Sequence, residues 1–133
     1  MKKKSYTGFV VGLVCYLVAL LSIAFIPKTD EQIVMRLTML LTTWYMAWIS
    51  FHVWRTEQIY WYNGTSYEDA EAAGSERRKV FAWKHFQRFG MFALCQTVLS
   101  CGMYLLGWSA WIDFAIGAVG LVVTACSTIP IKL

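Results

Sequence analysis

Ser5 to Pro27 reads SYTGFVVGLVCYLVALLSIAFIP, a run without a single Asp, Glu, Lys or Arg. The apolar core of a bilayer is about 30 Å thick and takes roughly 20 residues of helix, so this run is long enough to cross it. Three further runs share the property: Leu37 to Trp54, Phe89 to Ile112 and Phe114 to Ile131. The chain has 133 residues, 58% of them hydrophobic and only 15% charged. Four apolar segments in so short a chain leave little for a water-soluble core. The expected fold is therefore all-α, a single integral membrane domain built as an up-and-down four-helix bundle. Its helices are predicted at about 6–26, 31–54, 89–106 and 110–129, with a cytoplasmic loop at about 55–88.

Lys2, Lys3 and Lys4 ahead of the first run resemble the start of a secretory signal. The run is longer than a signal's apolar region, however, and Phe25, Ile26 and Pro27 stand where small cleavage-site residues belong. It is read as a retained helix. The remaining basic residues set the orientation. Arg55, Arg77, Arg78, Lys79, Lys84 and Arg88 fall in the long loop and Lys132 follows the last run, whereas only Lys28 and Arg36 lie on the other side. By the positive-inside rule both termini are expected in the cytoplasm, in the cell membrane, as a multi-pass protein. The net charge of +4 then suits anionic lipid headgroups. It does not indicate nucleic-acid binding, because no basic patch lies on a soluble fold.

Local signals refine this plan. Gly8 and Gly12 form a small-x-x-x-small pair that lets another helix approach. Pro27 is expected to stop the first helix, and Thr29 or Asp30 to cap the second. The second helix ends in Trp54, reaching at most Tyr60, and much of its aromatic crowd (with Tyr60, Trp61 and Tyr62) reads as a headgroup-level belt. Asn63-Gly64 is a turn signal, and Ser66-x-x-Asp69 a capping box for a short helix that Gly74 ends. Asn63-Gly64-Thr65 also matches a glycosylation acceptor, which a cytoplasmic loop would not expose to that machinery. From Ser75 to Phe89 basic and aromatic residues interleave, as in an amphipathic helix lying at the interface; a continuous extension of the third helix fits equally well. Gly107-Trp108-Ser109 makes a tight turn, Ser109 caps the last helix, and Gly117, Ala118, Gly120 and Ala125 give that helix a small-residue face.

Few residues carry chemistry. Trp44, Trp48 and His52 are spaced four apart on one helical face, with Tyr45 and Arg55 close to it. An ionisable residue within a span is a candidate for ligand binding or proton relay. The plainer reading, a histidine at headgroup depth bonded to a neighbour or water, weighs more. His85 and Arg88 open the third helix, where they would approach His52 and Arg55 to make an anion or headgroup site. Asp113 in the first turn of the last helix is favoured there by the helix dipole, and a pair with Arg36 is the alternative. Two histidines without paired carboxylates or thiols make a poor metal site. Cys15, Cys95, Cys101 and Cys126 form no Cys-x-x-Cys pair and are read as small packing residues. No catalytic triad, phosphate loop or cofactor motif is present.

Tyr62-Asn63, Ser66, Glu68, Asp69, the basic cluster Arg77 to Lys79 and Arg88-Phe89-Gly90 follow one another in an order that resembles the cytoplasmic loop of small bacterial multi-pass proteins around the bacteriocin-immunity group. The resemblance covers only this loop, and the aromatic second helix and longer spacing before the basic cluster depart from it. It implies an immunity or accessory role and transfers no catalytic residue. The leading expectation is thus a non-enzymatic protein that acts through another membrane protein or through self-association. A homo-oligomeric transporter or channel lined by Trp48 and His52 is the second. A lipid-binding or lipid-modifying protein using His52, Arg55, His85 and Arg88 is the third.

Overall fold

The computed structural model describes residues 4–25, 30–62 and 64–133. Among them are five α-helices and one 3₁₀ turn, and no strand: α1 (Thr7–Ala24), α2 (Glu31–Thr56), the turn Ile59–Trp61, α3 (Tyr67–Ala72), α4 (Gly74–Leu105) and α5 (Ala110–Thr128). The protein is all-helical, as its composition predicts. Helices α1, α2 and α5 are long and apolar enough to cross a membrane. Helix α4 falls short of that measure, since Arg88 opens and Gln96 interrupts its apolar half.

The predicted caps form. Asp30 accepts a hydrogen bond from the Gln32 N–H at 2.9 Å, Ser66 from Asp69 at 3.0 Å and Ser109 from Trp111 at 3.3 Å. Each satisfies one of the donors that a helix start leaves unpaired. The stop at Pro27, the Thr29 cap and the Asn63 half of the turn signal lie outside the described residues. Gly74 and Gly107 take left-handed φ of 76° and 69°, where glycine is favoured because it has no Cβ.

Two boundaries are set by the structure. Helix α2 ends at Thr56, because Glu57 turns left-handed at φ 59°, and Tyr60 belongs to the separate 3₁₀ turn. Of the two readings of 75–88 the continuous extension holds, since the stretch is the first half of α4 and not a separate interfacial helix. No proline interrupts this stretch, and Phe81, Ala82, His85, Phe89 and Ala93 bury one continuous face along it.

Helix α2 is the hub, packing on α4, α5 and α1. Ala47 of α2 meets Phe89 and Ala93 of α4 in one apolar cluster. A second cluster, at the loop end, gathers Val53, Ile59, Tyr60, Ala70, Phe81 and Ala82, with Ile131 and Leu133 packed against it. Tyr60 is thus core rather than interfacial belt. Its hydroxyl donates to the Ser5 carbonyl and accepts from the Ser5 N–H, both at 3.0 Å, tying the start of α1 to the segment after α2. The glycines of α5 stand where a Cβ would collide with Met39 and Gln96 at Gly117 and with Phe92 at Gly120. The four cysteines are free and exposed, which corrects their reading as packing residues. Helices in lipid expose apolar faces without penalty, so a small apolar side chain on such a helix need not face inward.

Candidate functional site: an open cleft between the first and last helices

Helix α1 is held to α2 by a column of rings. Tyr16 stacks on Tyr45 at 4.3 Å between centroids, Tyr45 on Trp48 at 6.1 Å, Trp48 meets His52 at 5.4 Å, and His52 stacks on Trp61 at 5.2 Å. Gly8 and Gly12 let α1 lie against this column. A Cβ on Gly12 would stand 2.5 Å from the Trp48 ring, and one on Gly8 would stand 3.0 Å from His52. The small-residue pair therefore serves close packing, against rings rather than another backbone. Trp44, expected on the same face, leaves the column and donates its indole N–H to Thr97 of α4 at 3.0 Å.

The second pair of sequence candidates goes elsewhere. His85 is buried, its Nδ1 2.9 Å from the Phe81 carbonyl and its ring stacked on Tyr62 at 4.3 Å. Arg55 and Arg88 are exposed. His52 packs among Trp48, Trp61 and the α1 glycines, and His85 among Tyr62 and Phe81. Each histidine is thus embedded in its own aromatic cluster. Among the described residues no group of three His, Cys, Asp or Glu side chains is placed to hold a metal.

Charge is buried at two points. Where the start of α2, the end of α4 and the start of α5 meet, Arg36 and Asp113 form an ion pair at 2.8 Å, with side chains 7% and 1% exposed. The Gln96 amide donates to the other Asp113 oxygen at 2.8 Å, the Ser100 hydroxyl donates to the carboxylate, and Arg36 also donates to the Trp108 carbonyl. Buried charges survive when paired and further hydrogen-bonded, and this carboxylate has both. Both readings of Asp113 hold, since it occupies the first turn of α5 and pairs with Arg36. Gln96 and Ser100 escaped the sequence reading. Gln96 is the lone amide in the run Phe89 to Ile112, and that isolation is the signal.

At the loop end Arg78, itself 5% exposed, donates to Glu57 through Nε and Nη2 at 3.0 and 2.8 Å and to the Ala70 carbonyl at 2.9 Å. Ser75 donates to the other Glu57 oxygen at 2.8 Å, and Lys79 stands 3.6 Å from it. A left-handed glutamate costs about 1 kcal/mol, which these partners offset. Burial pushes the Glu57 carboxyl up, but its bonds with Ser75 and Arg78 and the charges of Arg78 and Lys79 outweigh that and hold it below the ordinary range.

Between α1 and α5 the protein opens into a cleft of about 1310 Å³. Phe9 and Leu13 of α1 form one wall and Ala125 and Ile129 of α5 the other, with Met46, Ile49 and Phe89 also lining it. Tyr62, Asp69, Arg77 and Lys132 give it a polar lining toward the loop end. Burial pushes the Tyr62 hydroxyl up to about 12, against the opposing pull of the Ser50 hydroxyl. Such a concavity, apolar in most of its wall with a few convergent polar groups, is what a binding site needs. Of Trp44, Trp48, His52, Arg55, His85 and Arg88 only His85 lines it, together with Tyr45 from beside the Trp48 face. No protein-family model matches the chain, and no curated protein or solved structure matches it.

Proposed function

We propose that the chain is a four-helix membrane protein that works without catalysis, as an immunity-type or accessory protein receiving an apolar segment of another membrane protein in the cleft between α1 and α5. The second half of α4, free of charged residues from Phe89 to Leu105, supplies the fourth span beside α1, α2 and α5. The termini and the α3 loop then lie on one side, the cytoplasmic one by the distribution of Lys and Arg.

The cleft is the observation that carries this reading. Without a hydrophobic drive between helices in lipid, association depends on close packing, and an unfilled apolar concavity offers it. The loop residues that resemble those of immunity-group proteins stand beside it, since Tyr62, Asp69 and Arg77 all line the cleft. The transport reading has less support. The Trp48 and His52 face that would line a path has α1 packed over it at Gly8 and Gly12.

Photo-crosslinking groups at Leu13 and Ala125, on opposite walls, test the proposal in native membranes. The expected product is one adduct of fixed mass with a second polypeptide from both positions. The same group at Val98, exposed on the outside of α4, should not give it. Adducts with a second copy of this chain alone would move the assignment to a homo-oligomer. Adducts with lipid alone would defeat the interaction reading.

A further inference from the structure

Helix α4 and the segment after α5 enclose a second groove, of about 590 Å³. Lys84, Gln87, Arg88 and Met91 of α4 line one side, spaced so that they share a helical face. Pro130 and Lys132 form the other. Three cations thus converge on one concavity with no acidic residue in its lining.

Three other cations are held in ion pairs, while Arg55 and Arg77 stand exposed without one among the described residues. Arg36 is paired with Asp113, and Arg78 and Lys79 with Glu57. Among the described residues Lys84, Arg88 and Lys132 have no ion pair. Arg88 and Lys132 also stand at the ends of two apolar stretches, with Lys84 one turn before Arg88. Arg88 directly precedes the charge-free run Phe89 to Ile112, and Lys132 directly follows the run Phe114 to Ile131. One turn past Arg88, Met91 is 63% exposed, and Cys95 and Val98 continue that face as an exposed apolar track. A cationic groove at the end of an apolar track matches a molecule with an anionic head and an acyl tail. Basic pockets between membrane helices on the cytoplasmic side hold phosphate headgroups in this way.

We infer that the groove between Lys84, Arg88 and Lys132 binds the phosphate headgroup of an anionic phospholipid, whose acyl chain lies along Met91 and Val98. The inference rests on the membrane reading above, and the groove shares Ile131 and Lys132 with the larger cleft while Lys84 and Arg88 belong to the groove alone. It also relocates the expected headgroup site. Arg88 stays, Lys84 and Lys132 join it, and His52, Arg55 and His85 are not in its lining.

The full chain, reconstituted in phosphatidylcholine vesicles with about one phosphatidylglycerol in ten lipids, is extracted in mild detergent and its retained lipid weighed by native mass spectrometry. Phosphatidylglycerol should be enriched over its bulk share. Each cation contributes about fivefold near a charged surface, so the combined K84Q, R88Q and K132Q change should return the ratio to bulk. The pair K4Q and R55Q, which removes exposed charge elsewhere, should leave the enrichment in place. No enrichment in the unaltered chain, or equal loss in both variants, would overturn the site. Millimolar inorganic phosphate displacing the lipid would reassign the groove to free phosphate and overturn the lipid. An alkaline wash of the vesicles separates the two levels. Release of the protein defeats the membrane reading, whereas a protein that stays embedded without lipid preference defeats the site alone.

Discussion

Arg36 and Asp113, remote from each other in sequence, meet at 2.8 Å with both side chains almost wholly buried, and through them α2 is joined to α5. Gln96 and Ser100 of α4 bond the same carboxylate, so the cluster ties three helices at one point. Directional bonds of this kind specify which helices are neighbours more sharply than apolar contacts, which slide.

Removing one partner of a buried pair leaves the other charge unpaired and costs about 3–5 kcal/mol. Asp113→Ala and Arg36→Met should each destabilise the protein by that order. Their combination should cost clearly less than the sum. Unfolding in mixed micelles by a denaturing detergent measures all three, and strict additivity would show that the pair is not coupled.

Glu57 should make the loop end sensitive to acid. Its carboxyl is held below the ordinary value of 4.5 in the folded protein. The stabilisation it gives is therefore complete above pH 4.5 and is lost as pH falls through the lower folded value. Hydrogen exchange at Ala70 and Arg78 should rise across that acid window. Glu57→Gln should raise it already at neutral pH, by about 2 kcal/mol for charge-assisted bonds lost. The acid-dependent rise should then be absent.

Gly12 governs the seat of α1. A side chain there would run into Trp48, and overpacking typically costs about 1–3 kcal/mol. Gly12→Leu should push α1 away, and Trp48 fluorescence should shift as its ring leaves Tyr45 and His52. Gly102 has open space around its Cβ position. Gly102→Ala should be neutral or slightly stabilising, since alanine suits a helix interior better.

The four-span topology predicts where reporters fall. An enzymatic reporter inserted at Gly64 or fused after Leu133 should report the cytoplasm, and one inserted at Gly107 the opposite side. Gly64 and Gly107 both have open space around them, so insertion there is tolerable. Reporters at Gly64 and Gly107 on the same side would remove α4 as a span.

Helix positions and caps were legible because they depend on near neighbours. A charge-free run long enough to span a bilayer, the Asp30, Ser66 and Ser109 caps and the Gly107 turn all act over a few residues, and all are where local rules place them. The site was not legible in the same way. Trp44 and His52 share a face by spacing, yet Trp44 is drawn to Thr97 while His52 is stacked between Trp48 and Trp61. Which way each ring turns depends on which helix lies beside it. The cleft is a relation between α1 and α5, the ends of the chain, and it follows from α1 resting on α2. Periodicity along one segment determines what that segment is, because its hydrogen bonds close within a turn. Only the packing of segments decides what lies between them, because that volume belongs to none of them alone.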